Sequence, residues 1–196
     1  LRVLFLQREI ANKTLTILEG AMLELIVGDP RRLVTDVGPV IDRRAKEAID
    51  EHLVHLDKTA KLRAITPFDR TKYAGHFIAP QVWEIDALAD LTHEVFGPVL
   101  HVIRYDTNEL PRIFSEIRAS EFALTMGVHS RLRGLHDRIR DEALVGNLYI
   151  NRDTVGAVVG SHPFGGHGAS GTGPKAGGPN YLKRLVNEHT VTDNIT

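Results

Sequence analysis

The 196-residue sequence contains no cysteine. It can therefore form neither a disulfide framework nor a thiolate metal site, and any thiol chemistry has to come from outside these residues. It also lacks a run of eighteen apolar residues, and no basic stretch precedes the apolar residues at its start. These absences exclude a membrane-spanning helix and a secretory signal, so we expect a cytoplasmic protein.

An excess of charge of either sign is missing as well. The formal net charge is −1, and no clustered basic excess indicates a nucleic-acid surface. We therefore exclude a nucleic-acid partner through this region. With 42% hydrophobic and 25% charged residues, the composition is that of a globular protein with one sizeable core.

Apolar spacing predicts alternating strands and helices. The opening run from Leu1 to Leu6 is compatible with a strand, and the stripe that follows has the spacing of a helix: Ala11, Leu15, Leu18, Met22 and Leu25. A second helix is expected after Asp42. Further helices are expected over 108–119 and 132–139. Strands are expected around 60–66 and 77–83 and over 99–103, 123–129 and 146–150. This alternation predicts an α/β fold with a mostly parallel sheet and helices on both faces.

Two segments near the end break this rhythm. Residues 151–179 are rich in glycine and proline and form too long a segment for a simple connection, which is typical of a functional loop. Glu188 to Ile195 alternates polar with β-branched residues, as an exposed edge strand does. We expect this tail to pair with another chain.

The sequence does not support three common functional motifs: a phosphate-binding loop, a histidine metal site and a serine nucleophile. Gly166 to Gly171 has the spacing G-x-G-x-x-G, but proline precedes it and a Gly/Pro-rich stretch follows, so no helix can present its N-terminus to a phosphate. His52 and His55 lie three apart on a predicted helix, but no carboxylate cluster is placed to complete a metal shell. No G-x-S-x-G elbow marks a serine nucleophile. We predict no metal site.

The segment Glu94-Val95-Phe96-Gly97-Pro98 is more informative. It places a carboxylate and an aromatic ring two residues apart in a turn beside a buried strand, and loops at strand ends are common ligand sites in α/β sheets. The residues by themselves favour a simpler interpretation, in which Glu94 is a solvated acid and Phe96 a core residue.

The wider sequence resembles the aldehyde dehydrogenases. Glu94 to Leu100 is similar to their first signature, and Pro163-Phe164-Gly165-Gly166 followed by Ser170-Gly171 is similar to their second. Further landmarks span almost the whole chain: Gly28 to Pro30, Asp36 to Ile41 and Gly146 to Asn151. Residues 151–152, 155–160 and 170–179 most resemble the proline utilisation A family, bifunctional bacterial enzymes that oxidise proline to glutamate.

This resemblance implies a Δ1-pyrroline-5-carboxylate (glutamate semialdehyde) dehydrogenase module. In such enzymes a cysteine attacks the aldehyde, hydride passes to NAD, and a glutamate-activated water hydrolyses the thioester. The cysteine is expected just upstream of Leu1, together with the general base and most of the dinucleotide fold. We therefore expect a fragment that is inactive alone and works with the upstream half of its polypeptide. FAD is expected only if that parent carries a proline dehydrogenase domain.

The resemblance also implies roles for residues that are present. Glu94 accepts hydrogen bonds from the nicotinamide ribose and Phe96 packs against the nicotinamide, which makes both cofactor-binding. Gly156 and Ala157 hold the substrate carboxylate through backbone N–H groups, and Phe164 lines the aldehyde tunnel. Without the resemblance, Gly156-Ala157 would be an ordinary tight turn and Phe164 a core residue.

The resemblance further divides the chain into the C-terminal portion of the catalytic domain, 1–187, and an oligomerisation strand, 188–196, of a homo-oligomer. Two alternatives remain at this point. One is a non-catalytic scaffold that kept the shape and lost the chemistry, and the other is a dehydrogenase for another aldehyde. Retention of Glu94, Phe96 and Gly156-Ala157 favours the enzyme, because a scaffold needs neither a ribose-binding acid nor a carboxylate site.

Overall fold

The computed structural model describes residues 1–195. They divide into two compact units, Leu1–Pro111 and Arg112–Thr196, called unit 1 and unit 2. Residue 196, the last of the predicted oligomerisation strand, lies outside the described residues. Within the described residues, no helix is both long and apolar enough to cross a membrane.

Unit 1 is built on a four-stranded sheet in the order β1-β4-β3-β2. Its strands are β1 (Val3–Gln7), β2 (Lys61–Ile65), β3 (Gln81–Glu84) and β4 (Val99–Tyr105). β4 runs parallel to both β1 and β3, so the predicted mostly parallel sheet is confirmed. β2 is antiparallel to β3, because the segment between these two strands contains no crossover helix.

One helix covers each face of this sheet. On one face α1 (Arg8–Leu23) buries Ala11, Leu15 and Met22 in a cluster with strand residues Leu6, Val82 and Val102. On the other face α2 (Arg43–Thr59) buries Ile49 and Leu56 in a cluster that includes Trp83, Val99 and Ile103. Asp42 caps α2, since its side chain accepts the Ala45 N–H at 2.7 Å. Both helices predicted from spacing are confirmed.

Unit 2 contains a small β-α-β element. β6 (Thr125–Val128) and β7 (Asn147–Ile150) pair in parallel, and α4 (Arg133–Glu142) connects them. α3 (Leu110–Ala119) precedes them, and β5 (Phe122–Ala123) pairs antiparallel with β8 (His167–Gly168). The strand expected over 123–129 is therefore two strands, because its two ends pair with different partners.

The glycine-rich segment after β7 is ordered by turns and short backbone bridges, which join Val158 to His162 and Phe164 to Ala176. After Gly171 the described chain continues in turns as far as a short 3-10 segment, Leu182–Leu185. The G-x-G-x-x-G spacing thus has no helix after it.

Residues 186–195 are exposed and have no strand pairing in the single chain. The strand expected over 188–195 is not formed, because a strand needs a neighbouring strand to pair with and the described residues of this segment pair with none. Its use in subunit association stays a prediction.

Candidate functional site

The loop before β4 turns its two candidate residues outward. Val95 is 5% exposed and belongs to the core cluster under α2, whereas the next residue, Phe96, is 77% exposed. A Cβ on Gly97 would lie 2.4 Å from the Cδ1 of Ile49, so the loop backbone lies directly on that core. The interpretation of Phe96 as a core residue is therefore wrong. Val95 takes that place, because successive side chains of an extended segment point to opposite sides.

Arg2 contacts this loop at three points. Its Nε donates to Oε1 of Glu94 at 3.1 Å, and Nη1 reaches the carbonyl oxygen of Gly97 at 3.5 Å. Its guanidinium carbon lies 4.5 Å from the centroid of the Phe96 ring, a cation–π distance. Glu94 is therefore an ion-paired acid rather than a free one, with 46% of its side chain still exposed.

These groups meet at the amino edge of the sheet. β1 and β4 are parallel neighbours with Val3 opposite His101, so the residues that precede each strand lie at the same edge. Ligands of open α/β sheets usually bind at the carboxyl ends of the strands, and this loop is at the other end. Sequence reasoning missed Arg2, because pairing of the opening strand with β4 does not follow from apolar spacing.

Two buried histidines lie beneath the same edge. The Nε2 atoms of His52 and His101 are 2.8 Å apart, and Nδ1 of His101 is 3.1 Å from the carbonyl oxygen of Arg2. A carbonyl oxygen accepts and never donates, so Nδ1 of His101 carries its proton. The neutral Nε2 of His101 then accepts from the Nε2–H of His52.

Burial lowers the pKa of both histidines. The pKa of His52 falls to about 4, with further contributions from the neighbouring charges of His101, His93 and His55. Burial is also the main cause of the lowered pKa of His101; the hydrogen bond to the Arg2 carbonyl oxygen opposes this shift, and the Arg2 charge adds to it. Both rings are therefore neutral at pH 7. Among residues 1–195, no group of three or more potential ligands is placed to hold a metal ion.

In unit 2, Gly156 and Ala157 lie on an exposed turn after β7. Gly156 has a φ of +118°, a conformation that a side chain would strain. Nη2 of Arg152 donates to the carbonyl oxygen of Val155 at 3.0 Å and closes the turn just before Gly156. A Cβ on Gly156 would lie 3.3 Å from that same Nη2. The turn thus requires the glycine.

Phe164 is half-buried rather than a core residue. Its backbone exchanges two hydrogen bonds with Ala176, at 3.0 and 2.8 Å, which fixes its position across the glycine-rich segment. A polar groove of about 410 Å³ lies nearby and is lined by residues that include Asn147, Tyr149, Arg152, His162 and Lys175. None of the three substrate-binding candidates lines this groove.

The predicted site residues thus fall into two groups. Glu94 and Phe96 lie together on one loop of unit 1, under the side chain of Arg2. Gly156, Ala157 and Phe164 belong to the glycine-rich segment of unit 2.

Comparison with known proteins gives consistent results. The "Bifunctional protein PutA" of Escherichia coli (strain K12) is 51% identical over 191 residues, which cover 95% of this chain and 14% of that protein. A crystal structure of a Bradyrhizobium japonicum Proline Utilization A mutant matches with a TM-score of 0.92 and 46% identity, over 97% of this chain and 19% of that one. The NAD-bound 1-pyrroline-5-carboxylate dehydrogenase from Thermus matches with a TM-score of 0.82 and 32% identity, over 92% and 34%.

The chain therefore spans a seventh to a third of the length of these relatives. The model of the aldehyde dehydrogenase family matches residues 1–191, almost the whole chain. The chain belongs to the aldehyde dehydrogenase family.

Proposed function

We propose that this chain is the C-terminal part of an NAD-dependent dehydrogenase that oxidises glutamate semialdehyde to glutamate in proline catabolism. The observation that carries the proposal is the loop of Glu94 and Phe96, which is anchored by a buried valine and turns an acid and a ring outward. The relatives named PutA and 1-pyrroline-5-carboxylate dehydrogenase supply the substrate.

On the cofactor side, the chemistry of the loop fits a nicotinamide riboside. An ionised carboxylate offers two acceptor oxygens to a pair of ribose hydroxyls, and an exposed ring offers an apolar face to the nicotinamide. Glu94 would hold the ribose, and Phe96 would limit the motion of the nicotinamide ring. NAD, when bound, supplies the hydride acceptor. Family membership supports a nicotinamide dinucleotide, and the NAD-bound Thermus relative favours NAD.

On the substrate side, the turn at Gly156 and Ala157 would receive the far carboxylate of glutamate semialdehyde. Backbone N–H groups in a turn of positive φ form a small anion site, and the absence of a side chain at Gly156 lets the anion approach. Phe164 would contribute an apolar wall to the aldehyde tunnel, where exclusion of water strengthens polar interactions with the reacting carbonyl.

The remaining machinery would come from the upstream half of the same polypeptide. These 196 residues contain no cysteine, so the nucleophile has to come from outside them, and the chain alone should produce no NADH. The family resemblance implies a position upstream of Leu1. FAD would belong to the parent only with a proline dehydrogenase domain. Residues 188–196 would pair between subunits of a cytoplasmic homo-oligomer.

The test is Glu94→Gln in the full-length enzyme. The substitution keeps the size of the side chain and removes its charge, and a charged hydrogen bond contributes about 1.5 to 3 kcal/mol. We expect KM for NAD to rise about tenfold or more and hydride transfer to slow. Steady-state and single-turnover kinetics with glutamate semialdehyde measure both.

The matched control is Glu47→Gln, which removes the charge of an acid that is ion-paired with Arg43 at 2.9 Å on the surface of α2. It should leave the kinetics unchanged. Equal behaviour of the two variants would reduce Glu94 to a surface acid and remove the cofactor side of the proposal.

A further inference from the structure

We propose that Arg2 is the positioning residue of the cofactor loop: it orients the Glu94 carboxylate and supports one face of the Phe96 ring. The inference rests on the proposed function, since it assigns Arg2 a role only if Glu94 and Phe96 contact the cofactor. No motif in the sequence singled this residue out. The three contacts from one guanidinium to a single loop carry the inference.

The position of Arg2 is fixed at its backbone. Its carbonyl oxygen accepts the backbone N–H of His101 at 3.0 Å and also the ring Nδ1–H of the same residue, at 3.1 Å. His101 is 1% exposed, and its other ring nitrogen is bonded to His52. A side chain that starts from such a buried anchor has fewer positions to sample, so its contacts with the loop cost less conformational entropy.

The guanidinium uses different parts for its contacts with Glu94 and Phe96. Nε–H points at one oxygen of Glu94, which leaves acceptor positions on the carboxylate for other donors. The planar group lies over one face of the Phe96 ring, and the ring is still 77% exposed, so its opposite face stays open. Lysine could replace the charge but neither the directed Nε–H nor the flat stacking surface.

Arg2 also connects two parts of the proposed active site. The nucleophile is expected a few residues before Leu1, on the chain that leads into β1, whereas Glu94 and Phe96 lead into β4. Because β1 and β4 are paired in parallel, the segments that precede these two strands lie side by side, and the Arg2 side chain bridges them through Glu94 and Gly97. We infer that Arg2 keeps the nicotinamide, which accepts the hydride, at a fixed distance from the substrate carbon that loses it.

The experiment uses the full-length enzyme with Arg2→Met and Arg2→Lys. We expect kcat/KM for NAD to fall about fivefold in Arg2→Met, because the pair with Glu94 is partly exposed and its contribution is modest. Arg2→Lys should recover only part of that loss. KM for the aldehyde should change less than twofold in both variants, since neither removes a substrate contact.

Arg8→Met is the matched control. Arg8 begins α1 and forms a similar surface pair, with its Nε 3.1 Å from Oδ1 of Asp106, away from the cofactor loop. If Arg2 has a merely structural role, Arg2→Met and Arg8→Met should change the kinetics and the melting temperature alike. If it positions the loop, the two should melt alike and differ in kcat/KM for NAD.

A double-mutant cycle with Glu94→Gln separates the two proposals. If Arg2 acts through Glu94, Arg2→Met should add less than twofold to the loss in Glu94→Gln. A normal NAD response in Glu94→Gln would overturn the cofactor side of the proposed function, and with it the role of Arg2. A loss in Glu94→Gln with none in Arg2→Met or Arg2→Lys would overturn the role of Arg2 alone. If Arg2→Met fails to fold, Arg2→Lys carries the same comparison with the charge retained.

Discussion

The two candidate loops are built in different ways. The loop of Glu94 and Phe96 in unit 1 is held by side chains, with Val95 buried below it and Arg2 above. The turn at Gly156 in unit 2 is held by its backbone, through a positive φ and the bond from Arg152 to Val155. The first should depend on which side chains are present, and the second on the absence of a side chain.

The cores of the two units explain this contrast. Unit 1 has a sheet with a helix on each face and two clusters of buried apolar residues. In unit 2 the buried apolar residues among those described are few, namely Ile113, Phe114, Ile139, Ala143 and Tyr149. A segment with little apolar surface to bury has to be ordered by close backbone approach, and glycine allows that approach.

The largest expected effect is a loss of stability at Gly146, where two backbone segments pack closely against each other. A Cβ on Gly146 would lie 1.9 Å from the carbonyl oxygen of Gly165, which belongs to a chain segment that cannot rotate away. Gly146→Ala should therefore destabilise unit 2 by about 3 kcal/mol or more. Hydrogen exchange of residues 112–195, measured by mass spectrometry in the full-length enzyme, reports this loss.

Gly134→Ala is the control for that change. Gly134 lies near the start of α4 with nothing within 4 Å of its would-be Cβ, and alanine favours a helix over glycine. Exchange in this variant should be unchanged or slower. Similar protection in the two variants would mean that unit 2 rearranges freely around Gly146. Unit 2 would then not be ordered by close backbone approach, which would contradict the contrast between the two loops.

The next effect concerns specificity. Gly156→Val should crowd the proposed carboxylate site and strain a backbone with φ of +118°, so kcat/KM for glutamate semialdehyde should fall about tenfold relative to that for propanal. Propanal has no carboxylate and should suffer less. The ratio of the two values in the full-length enzyme isolates carboxylate recognition from general damage.

Gly160→Val provides the comparison within the same segment. Gly160 also has a positive φ, +83°, but nothing lies within 4 Å of its would-be Cβ. It carries a similar backbone penalty without a proposed ligand contact, so the substrate ratio should stay near that of the wild type. If Gly156→Val lowers activity toward both aldehydes equally, the turn is structural.

The difference between the two units also explains which parts of the fold the sequence could predict. The helices and most strands of unit 1 follow from apolar spacing, because burial on two faces of a sheet leaves a periodic pattern at residues such as Ala11 and Leu15. The split of the strand over 123–129 was missed, since it depends on pairing with β8, far along the chain. Loop ordering in unit 2 depends on such distant backbone pairs and leaves no periodic signal.

Within the site, the resemblance supplied the residue types and the structure supplied their surroundings. Phe96 was expected in the core on hydrophobicity alone, and its outward position follows from Val95 packing in its place. Arg2 and the pair of His52 and His101 were not expected. Their partners lie 49 or more residues away in the sequence. The pairing of β1 with β4 brings Arg2 to its partners, and the packing of α2 on the sheet brings His52 to His101.

The smallest expected effect is a loss of stability of unit 1 at low pH. In an unfolded chain a histidine titrates near pH 6.5, whereas the pKa of His52 in the folded chain is about 4. Between these values the unfolded state binds a proton that the folded state does not. Stability is therefore complete above about pH 6.5, falls as the pH drops, and stops falling on this account near pH 4.

His52→Gln tests this window, because a glutamine N–H can still donate to Nε2 of His101 but does not titrate. The control is His55→Gln, an exposed histidine on the same helix. Between pH 6.5 and pH 4 the melting temperature of the full-length enzyme should drop by about 2 to 4 °C less in His52→Gln than in His55→Gln. Parallel pH curves of the melting temperature for both variants would show that the buried pair does not govern the acid response.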